Sequence, residues 1–326
     1  MNYTFSIKYK VSTVKITCTE KYVLLNQKFN FDFPHEYTEY QQLDQKQFYE
    51  KVHDQDVIIL SDLNIDEQIL QNNPNLKLIV LCSTGFNHIN LPLLKKHGVK
   101  VCNIRGQATD AVAEHAFAFM INLIKNFKQQ INVIEQGVWS SRQTAFCLAA
   151  PMKQLKNKTL TIIGKGNIGL SLAEKAKAFG MRVIFSERKN AQHCREGYVA
   201  FNEAIQQADI LSLHCTLNEQ TQNLIDLAVL KQMKKTSVLI NLGRGGLVND
   251  QDLVLALENH LISGFATDVL TQEPPAANHP LLNIQHPNVL ITGHIAWATD
   301  EAQQLLFDIL QDNINKNMTG IDQNLV

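Results

Sequence analysis

The chain has 326 residues, more than one hydrophobic core usually holds, so we expect two domains. Hydrophobic residues make up 45% of the chain and charged residues 19%, which is typical of globular proteins and excludes a disordered or fibrous one. With 30 basic and 31 acidic residues the formal net charge is −1, which does not favour nucleic acid or an anionic membrane surface as a partner.

The start of the chain and its cysteines bear on where the protein works. Residues 1–10 lack the apolar core of a signal peptide, and no apolar run approaches the ~20 residues that span a bilayer. The cysteines are scattered without a CxxC pair, so we interpret them as reduced residues of the interior, with no disulfide framework and no metal site. They are Cys18, Cys82, Cys102, Cys147, Cys194 and Cys215. We therefore predict a cytoplasmic protein without a membrane partner.

Short apolar runs alternate with helix-like segments in the first third of the chain. Residues 8–15 alternate polar and apolar side chains, which fits either a strand or a poorly ordered leader. Beyond them, the pattern predicts strands at 57–60, 76–81 and 99–102, and helices at 66–71 and 91–96. Strands that alternate with helices are typical of βαβ units and a parallel sheet.

The middle of the chain begins with a long apolar segment. Residues 110–128 predict a mostly buried helix, and residues 129–158 resemble an arm or connector. A second alternating series follows, with a helix that ends at Gly180 and a final helix at 298–315. The predicted elements are strands at 159–163, 182–185, 210–213, 238–241, 264–268 and 289–292, and a helix at 170–179. The whole chain is thus predicted to be an α/β protein.

The sharpest motif follows the strand at 159–163. Gly164 permits a tight turn, Gly166 lets the backbone approach a pyrophosphate, and Gly169 lets the helix pack closely on the strand. The helix that follows would point its amides and positive dipole end at the phosphates. Asn167 and Ile168 of the same motif are further candidate cofactor-binding residues. A glycine turn in another kind of α/β protein is the alternative interpretation.

A carboxylate at the end of the next strand supports the dinucleotide interpretation. Glu187 follows Gly169 by 18 residues and can accept hydrogen bonds from the adenosine ribose hydroxyls. Arg188 and Lys189 would tolerate a 2′-phosphate, whereas Glu187 would repel it. We predict that NAD(H) is preferred and that NADP(H) is a possible secondary cofactor.

Three chemically useful side chains each follow a later predicted strand. In an open parallel sheet the carboxyl ends of the strands line one crevice, so these side chains can converge. Reduction of a 2-keto acid needs a cation for the carboxylate and carbonyl oxygens, and the planar fork of Arg244 suits this. His294 fits the proton donor, and Glu273 can orient its ring and favour its protonated form.

The segments 164–169, 241–248 and 268–274, together with His294, resemble the D-isomer-specific 2-hydroxyacid dehydrogenases in order and spacing. The resemblance implies two Rossmann-like doubly wound parallel-sheet domains with a cleft between them. It implies Arg244, Glu273 and His294 as the catalytic trio, with Arg244 and His294 also touching the substrate. It further implies that Asp268 contacts the nicotinamide carboxamide. The substrate carboxylate would be held by Ser83, Thr84 and Gly85, and the cofactor would be bordered by His214, Cys215, Thr216, Gly243 and Ala296.

The resemblance also implies a domain plan and an assembly. Residues 1–106 and 297–326 would form the substrate domain and residues 107–296 the dinucleotide domain. The arm at 129–158 would wrap a second subunit to make a homodimer; burial within its own monomer is the alternative.

Stretches such as 103–115 and 195–199 are most similar to glycerate dehydrogenases, which are also called hydroxypyruvate reductases. Hydroxypyruvate is thus the first expected substrate. Glyoxylate, pyruvate or a bulkier 2-keto acid is the second possibility. A catalytically silent NAD-sensing interaction protein is the third.

Overall fold

The computed structural model describes residues 13–24 and 27–326 and divides the chain into two compact units. The first consists of the described residues up to Gln107 together with Thr299–Val326, and the second is Ala108–Ala298. Within the described residues, no helix combines the length and the apolar character that crossing a membrane requires.

The first unit is a five-stranded parallel sheet with helices between its strands. The strand order is β2-β1-β3-β4-β5. The strands are β1 Val14–Cys18, β2 His35–Glu39, β3 Val57–Leu60, β4 Leu78–Leu81 and β5 Lys100–Cys102. The helices are α1 Gln45–Lys51, α2 Glu67–Asn72, α3 Leu91–Lys96 and, at the end of the chain, α11 Asp300–Met318. A short 3-10 helix lies at Lys21–Val23.

The central strands of this sheet are apolar at every position and fully buried. β3 reads VIIL and β4 reads LIVL, and the burial of consecutive residues is what a parallel sheet covered on both faces requires. Asp44, Asp66 and Asn90 cap the first three helices by accepting an amide of the first turn. These caps explain why the helices begin where they do.

The second unit is a six-stranded parallel sheet in the order β11-β10-β9-β8-β6-β7. The strands are β6 Thr159–Ile163, β7 Arg182–Phe185, β8 Ile210–Leu213, β9 Val238–Asn241, β10 Gly264–Thr267 and β11 Val289–Ile291. The helices are α4 Thr109–Lys125, α5 Phe127–Glu135, α6 Asn167–Ala178, α7 Phe201–Gln207, α8 Leu227–Leu230, α9 Asp250–Glu258 and α10 Pro280–Asn283, and a 3-10 helix lies at Gly245–Leu247. Both units therefore have the predicted α/β, Rossmann-like parallel-sheet class.

The order of connection reverses between β6 and β8. The chain runs from β6 outward to β7 and then returns to the other side of β6. Ligands of open parallel sheets bind outside the carboxyl ends of the strands at such a reversal. The loops after Ile163 and Leu213 lie there.

The long helix predicted at 110–128 is confirmed as far as Lys125 and wrong in its last three residues. Asn126 adopts a left-handed conformation, with φ 51°, and ends α4 at Lys125. A separate helix, α5, then occupies the start of the segment predicted to be an irregular connector. Asparagine tolerates this backbone conformation better than most residues, so it can break a helix without a glycine.

Several other predicted bounds shift, and several elements were not predicted. Helix α6 begins three residues before the predicted position, and α11 covers Asp300–Met318 instead of 298–315. The sequence analysis did not predict the strand β2 or the helices α1, α7, α8, α9 and α10. β2 reads HEYTE and lacks an apolar run. The strand or leader suggested at 8–15 falls largely outside the described residues, and the described strand starts at Val14.

Candidate active site

The glycine turn after β6 has the close contacts that its sequence predicts. Gly164 has φ 109°, and a Cβ there would lie 2.5 Å from the carbonyl carbon of His214. A Cβ at Gly169 would lie 2.2 Å from the carbonyl oxygen of Gly164. A Cβ at Gly166 would meet nothing within 4 Å, so the backbone there faces open space. This arrangement fits the approach of a pyrophosphate to the middle glycine.

The beginning of α6 offers an anion site directly beside this turn. Gly166 is the N-cap residue, and no side chain caps the helix. The first amides of a helix lack intrahelical partners, and the dipole adds positive charge at that end. Because α6 begins at Asn167, both Asn167 and Ile168 lie in this first turn, and the residues present fit a dinucleotide phosphate.

The loop after β8 lies against the glycine turn. The His214 amide donates to the carbonyl oxygen of Ile163 at 2.8 Å. The Ser212 hydroxyl lies 2.8 Å from His214 Nε2, and burial lowers the pKa of His214 to about 4, so its ring is neutral near pH 7. Cys215 and Thr216 follow in the same loop. The Thr216 carbonyl oxygen accepts a hydrogen bond from the Thr221 hydroxyl at 2.7 Å. Contact of these residues with a cofactor stays a prediction.

The ribose interpretation assumed a free carboxylate at Glu187, but the structure shows that this carboxylate, at the end of β7, is already paired. Its oxygens accept from Arg195 Nε and Nη2, each at 2.7 Å, and from the Arg188 and Arg195 amides at 2.8 and 3.0 Å. The Arg195 side chain and these amides lower the pKa of Glu187 to about 2. Lys189 does not share the site, because its ammonium group binds Asp226 at 3.0 Å.

The structure brings Glu273 and His294 together. His294 Nδ1 lies 2.7 Å from Glu273 Oε2, and the Leu270 amide donates to Glu273 Oε1 at 2.8 Å. The hydrogen bond to Glu273 raises the pKa of His294. Burial alone would raise the pKa of Glu273, but the bonds from His294 and Leu270 outweigh it and the pKa is lowered. The pair therefore favours a charged imidazolium beside a carboxylate.

The Asp268 carboxylate fixes the loop that carries His294 through hydrogen bonds. The Asp268 carboxylate is buried and accepts the Ile295 amide at 2.9 Å and the Ala296 amide at 2.8 Å. The Thr292 hydroxyl also donates to Asp268. His294 itself has φ 58°, a conformation that is uncommon outside glycine. Asp268 thus positions the histidine; its predicted contact with the nicotinamide carboxamide remains a prediction.

Arg244 follows β9 and belongs to the same constellation. Its positive charge adds to the lowering of the pKa of Glu273 and opposes the raising of the pKa of His294. The backbone explains the proximity: a Cβ at Gly245 would lie 2.0 Å from the carbonyl carbon of Leu270. The turn is tied by Asn241, whose side chain donates to the Arg244 carbonyl oxygen at 2.9 Å and accepts the Gly243 amide at 3.1 Å.

Ser83, Thr84 and Gly85 form a turn after β4 in the first unit. The Ser83 hydroxyl donates to the Gly85 carbonyl oxygen at 2.7 Å, and the Asn103 side chain donates to that of Thr84 at 2.8 Å. Among residues 13–24 and 27–326, no acceptor is paired with the amides of Ser83, Thr84 and Gly85. Donors of this kind suit a carboxylate, and their role with substrate stays a prediction.

Two groups near these sites had no assigned role in the sequence. Arg195 lies eight residues after Glu187, and no periodicity or motif links the two. Thr292 connects Asp268 to His115, whose Nε2 lies 3.1 Å from the threonine hydroxyl. Both links depend on how distant segments of the chain meet, so the sequence offered as signals only the charge of Arg195 and its place in the stretch 195–199.

The cysteines and acidic groups form no metal centre in the described part of the chain. No cluster of three or more His, Cys, Asp or Glu side chains there could hold a metal ion. All six cysteines are free, and Cys18, Cys82 and Cys102 are buried. Cys147 and Cys215 are partly exposed, and Cys215 packs against the hydrophobic core of the second unit. Cys194 is exposed, so its interpretation as an interior residue is wrong.

Comparisons with known proteins show which sequences and structures the chain is similar to. Residues 117–296 match the D-isomer specific 2-hydroxyacid dehydrogenase, NAD binding domain, family. The chain is 34% identical to a glycerate dehydrogenase of Methylorubrum extorquens over 91% of this chain and 93% of the relative. It is 32% identical to a glyoxylate reductase of Thermofilum pendens, over 82% and 80% respectively.

A solved structure is similar over nearly the full length. The NADPH-dependent glyoxylate/hydroxypyruvate reductase from Sinorhizobium meliloti, in complex with citrate, has a TM-score of 0.80 at 25% identity, covering 96% of this chain and 97% of that one. Together with the match over residues 117–296, these likenesses show that the chain belongs to the D-isomer specific 2-hydroxyacid dehydrogenase family.

Proposed function

We propose that this protein interconverts hydroxypyruvate and D-glycerate with a nicotinamide dinucleotide as hydride carrier. The observation that carries the proposal is the 2.7 Å pair of Glu273 and His294 in the field of Arg244. This pair belongs to the same unit as a glycine turn that fits a dinucleotide phosphate. A general acid, an oxygen-binding cation and a dinucleotide site are the parts that reduction of a 2-keto acid needs.

His294 is the proposed acid and base. Glu273 occupies Nδ1, so Nε2 is the ring nitrogen left to face substrate. In the reducing direction Nε2–H donates its proton to the carbonyl oxygen of the keto acid. In the oxidising direction the neutral Nε2 accepts the proton of the hydroxyl group. The bound nicotinamide supplies or accepts the hydride at the second carbon.

Arg244 is the proposed substrate cation. Its guanidinium can donate to the carboxylate and to the carbonyl oxygen at once, which orients the keto acid and polarises the bond to be reduced. We further propose that amides of Ser83, Thr84 and Gly85 bind the carboxylate. The proposed cofactor contacts are those of the glycine turn, Arg188, His214, Cys215, Thr216, Gly243, Asp268 and Ala296.

The choice of hydroxypyruvate rests on similarity. The glycerate dehydrogenase at 34% identity supports it, and the glyoxylate reductase at 32% supports glyoxylate as the second candidate substrate. NAD(H) is the proposed cofactor from the family match, and the NADPH-dependent relative supports NADP(H) as the second.

Absorbance at the NADH band tests the proposal with a panel of 2-keto acids. Hydroxypyruvate, glyoxylate, pyruvate and phenylpyruvate are offered to the protein at equal concentration, with NADH and then with NADPH. We expect the highest kcat/KM for hydroxypyruvate. The highest value for glyoxylate would support the second candidate. Oxidation of neither cofactor with any acid, in a protein that still binds nucleotide, would support a silent NAD-sensing protein instead.

We also propose a twofold dimer formed through the arm at 129–158. Trp139, Phe146 and Leu148 of this arm are 48%, 78% and 72% exposed, so they are not buried within their own chain. Large apolar side chains that stay exposed favour a partner surface. Sedimentation at micromolar concentration should show a dimer, and a monomer there would refute it. The predicted cytoplasmic location remains a prediction.

A further inference from the structure

The Glu187 carboxylate has no acceptor site to spare. Two carboxylate oxygens offer about four lone-pair positions, and four donors already occupy them. The donors are the Arg188 amide, the Arg195 amide, and Nε and Nη2 of the Arg195 guanidinium. The guanidinium and carboxylate therefore form a two-pronged pair, the strongest geometry open to these groups.

The loop that brings Arg195 to Glu187 is closed at its base. The Glu187 amide donates to the Val199 carbonyl oxygen, and the Val199 amide donates to the Phe185 carbonyl oxygen, both at 2.8 Å. Residues 188–198 thus leave the end of β7 and return to it, which explains why Arg195 reaches Glu187. The Glu187 side chain is 4% exposed and that of Arg195 is 52% exposed. The carboxylate is covered, and the guanidinium forms the surface.

The surroundings of this surface are basic. A cavity of about 260 Å³ is lined by Glu187, Arg188, Ala191, His193 and Arg195. Among the described residues, the Arg188 guanidinium has no hydrogen-bonding or ionic partner.

Two lysines lie near this cavity without lining it. The Lys165 ammonium group, in the glycine turn, lies 5.0 Å from the centre of the Tyr198 ring, and the Arg195 guanidinium stacks on the same ring at 4.0 Å. The Lys189 ammonium group binds Asp226, so the permanent cations that line the cavity are Arg188 and Arg195.

Arg195 can bind an anion without releasing Glu187. A guanidinium carries five N–H donors, and the pair with Glu187 uses one on Nε and one on Nη2. Three donors remain on a half-exposed group. The single negative charge of the cavity is neutralised by the same pair, which removes the repulsion that a free Glu187 would exert on a phosphate.

We propose that Arg195 is the residue that sets the dinucleotide preference of this enzyme. By covering Glu187 it removes the acceptor for the ribose hydroxyls, and by presenting its remaining N–H groups it binds the 2′-phosphate of NADP(H). The protein therefore accepts both NAD(H) and NADP(H). Its choice between them depends on the pair of Glu187 and Arg195 and not on Glu187 alone. The inference rests on the proposed function only in that a dinucleotide occupies the glycine turn.

Nucleotide binding in the absence of keto acid tests the inference. NADH and NADPH are titrated against the wild-type protein by nucleotide fluorescence, and 2′,5′-ADP is used as a competing ligand that carries only the 2′-phosphate end. We expect wild-type dissociation constants for NADH and NADPH within about tenfold of each other. Wild-type protein that binds NADH but neither NADPH nor 2′,5′-ADP would overturn the proposal.

Arg195→Met is the decisive variant. We expect the affinity for NADPH to fall by about tenfold or more, the effect of losing charge-assisted hydrogen bonds. NADH affinity should change by less than about threefold, or increase, because Glu187 regains free oxygens. Equal weakening of both nucleotides would show that Arg195 only holds the loop, and it would refute the role in specificity.

Two further variants keep this result interpretable. Arg182→Met removes an exposed arginine from the other end of β7 and should leave both affinities unchanged. Glu187→Gln keeps the shape of the side chain while removing its charge. We expect it to weaken NADH by less than about threefold, whereas loss of about tenfold or more would show direct ribose recognition by Glu187 and contradict the proposal.

Failure of this inference and failure of the proposed function give different results. Protein that binds NADPH through Arg195 but reduces no 2-keto acid would refute the proposed reaction and leave the nucleotide preference standing. Protein that reduces hydroxypyruvate with NADH alone, and binds no 2′-phosphate, would refute the inference and leave the reaction standing.

Discussion

Two carboxylates in the second unit each pair with a basic side chain at 2.7 Å, yet the pairs have different chemistry. Glu273 pairs with His294, and Glu187 pairs with Arg195. An imidazole ordinarily titrates near neutral pH, and that of His294 has a second nitrogen left for substrate. The guanidinium stays charged at any physiological pH, so its pair can place charge but cannot move a proton. The contact distance alone therefore does not reveal function; the ordinary pKa of the partner does.

The backbone around the two pairs differs in a matching way. His294 has a left-handed backbone, φ 58°, in a loop that three donors tie to Asp268. Arg195 lies in a loop whose base is closed by strand-like hydrogen bonds at Val199. A strained and well-anchored residue is typical of a site where orientation matters for the reaction. The following predictions test whether the two pairs divide proton transfer and nucleotide binding between them.

Removing the imidazole should have the largest effect. We expect His294→Asn to lower kcat for hydroxypyruvate reduction by about 10²–10⁴-fold, the usual contribution of a positioned acid–base group. Asparagine tolerates the left-handed backbone of this position better than alanine does, so the loop should keep its shape. Steady-state rates measure the loss, and fluorescence titration should show unchanged NADH binding. An unchanged kcat would exclude His294 as the acid.

Replacement of Arg244 should have the next largest effect. We expect Arg244→Ala to lower kcat/KM by roughly 10²-fold with a clear rise in KM, because the substrate carboxylate would lose its charged partner. Arg244→Lys is the matched control, since it keeps the charge and loses the planar fork. It should recover only part of the loss. A normal KM in the alanine variant would contradict the role in substrate binding.

Glu273→Gln should change the pH profile. The bond to Glu273 raises the pKa of His294, so the protonated ring and the reduction rate persist to higher pH and fall as pH rises through that raised pKa. Without the carboxylate, the fall should begin at lower pH, with about tenfold loss for each pH unit beyond it. The rate of hydroxypyruvate reduction against pH measures the shift. Identical profiles for the two proteins would refute the coupling of Glu273 and His294.

NADH affinity, which we expect to involve the pair of Glu187 and Arg195, should depend far less on pH than the reduction rate does. The pKa of Glu187 is lowered to about 2 by Arg195 and the neighbouring amides, so the carboxylate stays charged until the pH falls toward that value. We expect NADH affinity to change by less than about threefold between about pH 6 and pH 9. Fluorescence titration across this range checks it. A large change would mean that a group outside this pair controls nucleotide binding.

Local patterns in the sequence were sufficient to predict most strands of the two sheets and to identify the three candidate catalytic residues. Strands β3, β6, β7, β8 and β9 have the predicted bounds, because each is a short apolar run between turn residues. The glycine spacing at Gly164 and Gly169 also predicted the close contacts found there. β2 escaped prediction because its alternating polar residues leave no apolar run to recognise.

The tertiary structure decided which donor occupies which acceptor. The sequence placed Glu187 at a ribose position, but only the fold of residues 188–198 shows that Arg195 fills its oxygens. It likewise shows that Asp268 holds the His294 loop and that Asn126 divides a helix. Strand periodicity and turn chemistry depend on neighbouring residues and can be read along the chain. Hydrogen-bond partners across loops depend on how distant segments meet, which neighbouring residues do not determine.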